Sequence, residues 1–295
     1  MMKLPLSFGI AIGVFVSASA AAEIAAPKNA SPEEHLKLAS PQLPQNDVVE
    51  TSTSKEHTLS ITKEELAKRP DLIIRGLIPA LLQSHAEAVA LLLPLYKNLP
   101  QQDPFLVAWG EAMMATHQGN YASAVQQYRE LFAKHPEVLP LRYQLAHALF
   151  LNNDNEAAKD QFQKLRAEVN DASSQQMIDQ YLTAINQRDQ WKINGGISFL
   201  NESNINNAPK AGTRIGAWKA WEREQAHGLS YYMGAEKKWS LPHQFFAKLV
   251  LDGQGKYYWD NKKYNDVIGH VGLGYGYSDA RFNVQVTPYI NKRWY

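Results

Sequence analysis

Nine histidines, 29 acidic residues and no cysteine are the raw material for chemistry in this sequence of 295 residues. They are not arranged for it. There is no His-Glu-x-x-His, and no histidine pair stands at metal spacing beside a carboxylate. His85 near Glu87, and His147 next to Ala146, read as ordinary helix residues. Ser203 lacks the glycine-flanked elbow that presents a hydrolase nucleophile. Gly272-x-Gly274-x-Gly276 has the outline of a nucleotide loop but lies inside an alternating strand, where glycine makes room for interior side chains or a plug. Asn201-Glu202-Ser203 matches a glycosylation sequon but carries no weight behind a bacterial-type leader. Without cysteine there are no disulfides, thiol nucleophiles or zinc fingers. The expectation is a non-enzyme with no catalytic, cofactor-binding or metal site and no cofactor.

The bulk properties are those of a globular chain with no nucleic-acid signature. Lys+Arg is 30 against Asp+Glu 29, so no net charge draws the chain to nucleic acid. The apolar and charged fractions, 45% and 20%, are those of a globular chain with room for about two domains. Lys3, the apolar stretch Leu4 to Val16 and the small residues Ala18-Ser19-Ala20 predict a cleaved secretory signal over 1–22, cut after Ala20 or Ala22. Residues 23–61, broken by Pro27, Pro32, Pro41 and Pro44, read as a flexible periplasmic leader. A first helix is expected near Thr62, where Thr62-Lys63-Glu64-Glu65 resembles a capping box.

Residues 62–190 read as helical and repetitive. Ala112, Gly119, Ala124, Tyr128, Leu131 and Pro136 are followed 34 residues on by Ala146, Asn153, Ala158, Phe162, Leu165 and Asn170. Small residues where helices cross, an aromatic to fill the groove and a turn residue between them form the tetratricopeptide pattern. The repeats are placed at about 103–136 and 137–170, with a degenerate unit upstream around Ala88 to Tyr96 and a closing helix from Ser174 to Gln187. Such arrays bind peptides in a concave groove. Arg142, Tyr143 and Gln144, near the start of a groove-facing helix, are therefore the candidate contact for a client protein or for the mouth of the domain that follows.

At Trp191 the alphabet changes. Residues 191–295 hold six of the seven Trp, nine of the fourteen Tyr and twelve of the seventeen Gly. Strict alternation replaces helical spacing over Trp191 to Leu200, Gly228 to Leu241, Phe245 to Gln254, Val267 to Tyr277 and Phe282 to Thr287, with Thr213 to Glu222 a possible sixth strand. Strands of about ten residues with aromatics toward their ends are the transmembrane β-barrel signature. Lys237, on the apolar side of its strand, needs a bulge or a snorkelled side chain. The fold expected is α + β in two domains: a tetratricopeptide solenoid, then antiparallel transmembrane β-barrel strands forming the N-terminal part of an outer-membrane barrel.

A signal, a helical repeat unit and a barrel in this order resemble the surface lipoprotein assembly modulator (Slam) family. So do Trp191-Lys192-Ile193-Asn194-Gly195-Gly196, the stretch Asn201 to Pro209, and Ala226-His227-Gly228-Leu229-Ser230-Tyr231. The resemblance implies an outer-membrane translocator component, with its helical domain in the periplasm, that assists delivery of surface lipoproteins. The partners it implies are client surface lipoproteins or secreted iron- or haem-capture proteins, and outer-membrane lipid. The alternative is a periplasmic tetratricopeptide adaptor with a soluble β domain. Family members carry a far longer barrel, and positions Thr287, Tyr289, Asn291 and Arg293 offer no apolar face. The expectation is accordingly a C-terminally truncated, incomplete barrel, non-functional alone unless a downstream fragment completes it.

Overall fold

The computed structural model describes residues 63–210, 212–219 and 221–295, together with the backbone of a strand, β1, at Val14–Ala18. The signal and leader readings otherwise lie outside the described residues, as does Thr62. Eight helices come first: α1 Lys63–Ala67, α2 Pro70–Leu82, α3 Ala86–Lys97, α4 Pro104–His117, α5 Tyr121–Lys134, α6 Leu139–Leu151, α7 Asn155–Glu168 and α8 Ala172–Arg188.

The helices stack as hairpins, and the same device ends the first helix of each. Ser84, Gly119 and Asn153 all adopt positive φ (60°, 75° and 58°), two residues beyond α2, α4 and α6. In each case the next amide reaches back to the last turn: His85 N to Ala80 O at 2.9 Å, Asn120 N to Ala115 O at 2.8 Å, and Asp154 N to Leu149 O at 3.0 Å. These are Schellman closures, which satisfy otherwise orphaned carbonyls and reverse the chain tightly. Glycine suits the position because it has no Cβ, and asparagine tolerates it better than most residues. Asp103 starts α4 by accepting from Phe105 N at 2.8 Å, ahead of Pro104, and Asp171 starts α8 by accepting from Ser174 N at 2.7 Å.

Packing follows from the small residues. Ala112, Ala124, Ala146 and Ala158 are fully buried, so the helix backbones approach closely, and Tyr128 and Phe162 fill the spaces left between them. The apolar core runs without a break from Leu66 to Ile185, entirely within the helical unit.

The β half consists of β2 Lys192–Glu202, a small ribbon of β3 Arg214–Ile215 with β4 Trp218–Lys219, then β5 Ala226–Ser240, β6 Phe245–Tyr258, β7 Asp266–Ser278, β8 Phe282–Val286 and β9 Tyr289–Trp294. One antiparallel sheet has the order β1-β8-β7-β6-β5-β2, with β9 also on β7. The coarse reading, repeat-like helices followed by an antiparallel β domain, is what the structure has. Residues 213–222 do not add a wall strand, since β3 pairs only with β4 outside the main sheet.

The far end of the last strand needs a correction. β8 and β9 keep one register on β7: Val286 lies opposite Tyr275, and Ile290 opposite Val271. Between them Pro288, which has no N–H, accepts from Leu273 N at 3.1 Å. The strand therefore runs on to Trp294. Its apolar face is made by Val284, Val286, Ile290 and Trp294; the odd-numbered residues used in the sequence reading lie on the other side.

Candidate functional site

Three features could handle a protein client: the helical groove, the junction between the two halves, and the two faces of the sheet. Arg142, Tyr143 and Gln144 sit in the first two turns of α6, yet they do three different things. Gln144 is buried at 5% exposure. Its Nε2 donates to Leu81 O at 2.7 Å and Ser84 Oγ at 3.0 Å, while its Oε1 accepts from Trp109 Nε1. It thus ties α6 to α4 and to the end of α2. Arg142 lays its guanidinium 5.0 Å from the Phe132 ring centre and pairs with Glu168. Tyr143, half-buried, meets the rings of His147, Phe162 and Tyr181, its hydroxyl 3.5 Å from that of Tyr181. Burial raises the pKa of Tyr143 and lowers that of His147 to about 4, so both are neutral near pH 7.

Among the described residues none of the three makes a hydrogen bond, ion pair or ring contact with the sheet. That contact belongs to residues the sequence reading passed over. Asp189 follows α8, and its carboxylate accepts from both Ser240 N at 2.8 Å and Ser240 Oγ at 2.9 Å, at the end of β5. Asn155 Nδ2 donates to the same Ser240 hydroxyl oxygen at 2.9 Å. Arg188 Nη1 donates to Asn155 Oδ1 at 2.6 Å and to Phe150 O at 3.2 Å, with its guanidinium over the Phe150 ring. Asn153 Nδ2, held outward by its left-handed backbone, donates to Asp279 O at 2.9 Å in the β7–β8 turn. The traces of this junction in the sequence are indirect: Asn153 at the repeat's turn, Lys237 on the wrong side of its strand, and Asp189's place where helical spacing gives way to alternation.

Lys237 is explained by the same junction. Its Nζ donates to Asp189 O, which carries the charge off the apolar face to the end of the strand.

The sheet is two-sided. On one face Ile193, Ile197, Phe199, Met233, Leu273 and Ile290 are 65–84% exposed in this chain. Gly253 and Gly269 lie opposite one another there and help floor an apolar cleft of about 490 Å³ walled by Met233, Leu251, Val271, Ile290 and Trp294. The other face is polar, with Glu236 between Lys248 at 2.9 Å and Lys192 at 4.0 Å. Here the glycines of β7 make room as expected. Phe246 occupies the space a Cβ on Gly276 would need, and Thr287 does so at Gly274.

Among the described residues no group of three or more His, Cys, Asp or Glu could hold a metal ion, and no helix is long and apolar enough to cross a membrane.

Comparison with known proteins accounts for both halves. Residues 59–162 match the family described as surface lipoprotein assembly modifier, N-terminal TPR repeats, and residues 191–295 match surface lipoprotein assembly modifier. The chain is 62% identical over 263 residues to surface lipoprotein assembly modifier 1 of Haemophilus influenzae, covering 89% of this chain and 55% of that protein. It is 48% identical over 290 residues to modifier 2 of the same organism, covering 96% and 59%. The hemophilin secretion modulator of Acinetobacter baumannii is 21% identical over 272 residues, covering 83% and 54%. The chain thus spans a little over half the length of these relatives, and no solved structure matches it. Matched in its helices and again in its strands, the chain belongs to the surface lipoprotein assembly modifier family.

Proposed function

We propose that this chain acts at the outer membrane in delivering surface lipoproteins, or related secreted proteins, to the cell surface. The observation that carries the reading is the sheet's exposed apolar face, combined with a helical unit fixed to one end of its strands only. Water would penalise Ile193, Ile197, Phe199 and Leu273 in that setting, whereas lipid would not. In this reading the sheet is barrel wall, its polar face lines the interior, and residues 62–190 lie in the periplasm. Closure of the wall requires further pairing on the outer edge of β2 and along β9, since β1 covers only the β8 stretch of the last strand and open backbone groups are costly in lipid. The names of the relatives, surface lipoprotein assembly modifier and hemophilin secretion modulator, support surface lipoproteins, and proteins of the hemophilin kind, as clients.

Within the helical unit, the client contact is assigned to the α6 face bearing Arg142 and Tyr143, with Gln144 as the internal brace that holds that face in place. The test has two parts. Carbonate-resistant recovery in the outer-membrane fraction is expected, and recovery in the soluble periplasmic fraction would favour the adaptor reading instead. A photo-crosslinker at Tyr143 should capture a surface lipoprotein co-expressed with the chain; capture of none would remove the assigned contact.

A further inference from the structure

The end of the sheet away from the helices carries a feature that neither half's role explains. The helical unit meets the sheet at Ser240, Lys237 and Asp279, whereas Glu202, Ala226, Tyr258 and Asp266 mark the opposite rim. From that rim the segment between β2 and β5 projects the β3–β4 ribbon. Its base is clamped. Ile205 N donates to Glu224 O at 2.9 Å, Asn206 Nδ2 to Glu222 O at 2.8 Å, and Glu224 N to Asn206 Oδ1 at 3.2 Å. Asn204 and Ala208 exchange bonds of 3.0 and 2.9 Å.

The charge on the projecting segment is one-sided. Residues 208–223 contain Lys210, Arg214, Lys219 and Arg223 against the single acid Glu222. Lys210, Arg214 and Arg223 are exposed and make no ion pair with a described residue. Three of the nearby rim carboxylates are already engaged elsewhere. Glu224 takes Lys263 Nζ at 2.6 Å and Asn261 Nδ2 at 3.0 Å; Asp260 holds His227; Asp266 takes Arg293 through two bonds of 2.7 Å. In the same segment Trp221 is 84% exposed, and on the rim itself Tyr257 and Trp259 are 44% and 49% exposed. A cationic segment with a bare tryptophan, joined to a rim that bears further exposed aromatics, is suited to a headgroup layer, where the ring sits at the interface and the cations meet phosphate.

We propose that Lys210, Arg214 and Arg223, with Trp221, bind the phosphorylated headgroups of the lipid leaflet on the side of the membrane opposite the helical unit. The inference rests on the membrane reading above but is separable from surface delivery. Each cation near an anionic lipid surface is worth about 1 kcal/mol, so three together correspond to about a hundredfold in affinity.

The test uses the full chain purified in a non-ionic detergent, titrated with diphosphorylated lipid A and with the same lipid dephosphorylated, lipid adducts being counted by native mass spectrometry. Binding at least about tenfold tighter to the phosphorylated lipid is expected. The triple variant K210E/R214E/R223E should lose that difference, and K210R/R214K/R223K should keep it. These positions are exposed, so the far-ultraviolet circular dichroism should not change. Equal binding of the two lipids, or undiminished binding by the charge-reversed variant, would overturn the proposal. So would full competition by inorganic phosphate, which marks a free-phosphate site, or equally tight binding of polyglutamate, which marks an acidic protein partner. Failure here with normal outer-membrane fractionation would leave the proposed function standing.

Discussion

Asp189 and Ser240 are joined at both oxygens of the carboxylate, one taking the serine amide at 2.8 Å and the other its hydroxyl at 2.9 Å. A residue at the end of the last helix thereby caps the end of the second long strand, 51 positions later in the chain. Hydrogen bonds to a charged group contribute about 1.5–3 kcal/mol when well sheltered and less when partly solvated, as here. Asp189→Ala should therefore weaken docking by about 2 kcal/mol while leaving both halves folded. Amide hydrogen exchange at Ser240 should accelerate, and limited proteolysis should gain a cut near Gln190. An unchanged protection pattern would mean that the remaining bonds from Asn155 and Asn153 suffice.

Gln144 predicts a stability effect of a different kind. Its replacement by Leu fills the volume but strands Trp109 Nε1 in a dry interior, while Leu81 O keeps a backbone donor, Ser84 N at 3.4 Å. A buried polar group left without a partner costs about 1–3 kcal/mol. Gln144→Leu should lower the chemical-denaturation midpoint of the helical unit clearly, whereas Tyr143→Phe, losing one long hydroxyl contact of 3.5 Å, should hardly move it.

His147 supplies a pH dependence. Burial among aromatic rings holds its pKa at about 4, below the usual 6.5. The folded chain thus resists a proton that the unfolded chain accepts, and stability is complete above about pH 6.5 and lost as pH falls toward 4. Between pH 7 and pH 5 the loss amounts to at most about 2 kcal/mol. His147→Gln should flatten this segment of the urea-midpoint profile. Equal slopes in the two proteins would show that His147 is not the titrating group.

The helical core, continuous from Leu66 to Ile185 and borrowing nothing from the strands, predicts that residues 62–190 fold alone. Expressed by itself, this piece should give a cooperative thermal transition and the helical circular dichroism of the intact chain. A molten, non-cooperative product would show that the sheet is needed to order it.

How far the residues announced these features depends on whether a feature repeats. The helical stack was legible because Ala112 and Ala146, and likewise Ala124 and Ala158, have to be small for the same reason at the same spacing. Alternation from Phe245 to Tyr277 was legible because one face must be apolar throughout. Single contacts have no such redundancy. Nothing in Arg142-Tyr143-Gln144 distinguishes a buried brace from a groove contact, since glutamine is common in both. The strand at the end was misjudged by counting back from Tyr295, when pairing with β7 puts Ile290 and Trp294 on the apolar side. Residues 213–222 looked long enough for a wall strand. Gly216, at a φ of 63°, instead lies between β3 and β4 and folds them into a short ribbon.

The junction also limits how the two halves can move. The helical unit is fastened along one rim: covalently where α8 leads into β2, by Asp189 on the neighbouring strand β5, and by Asn153 at the turn beyond β7. With strands about 4.8 Å apart, these fastenings spread over roughly 15 Å of arc. One fastening would leave a swivel, but several spaced along an edge remove twisting and sliding. The compliant motion that remains is a nod about the rim itself, carrying the helices toward or away from the end of the sheet.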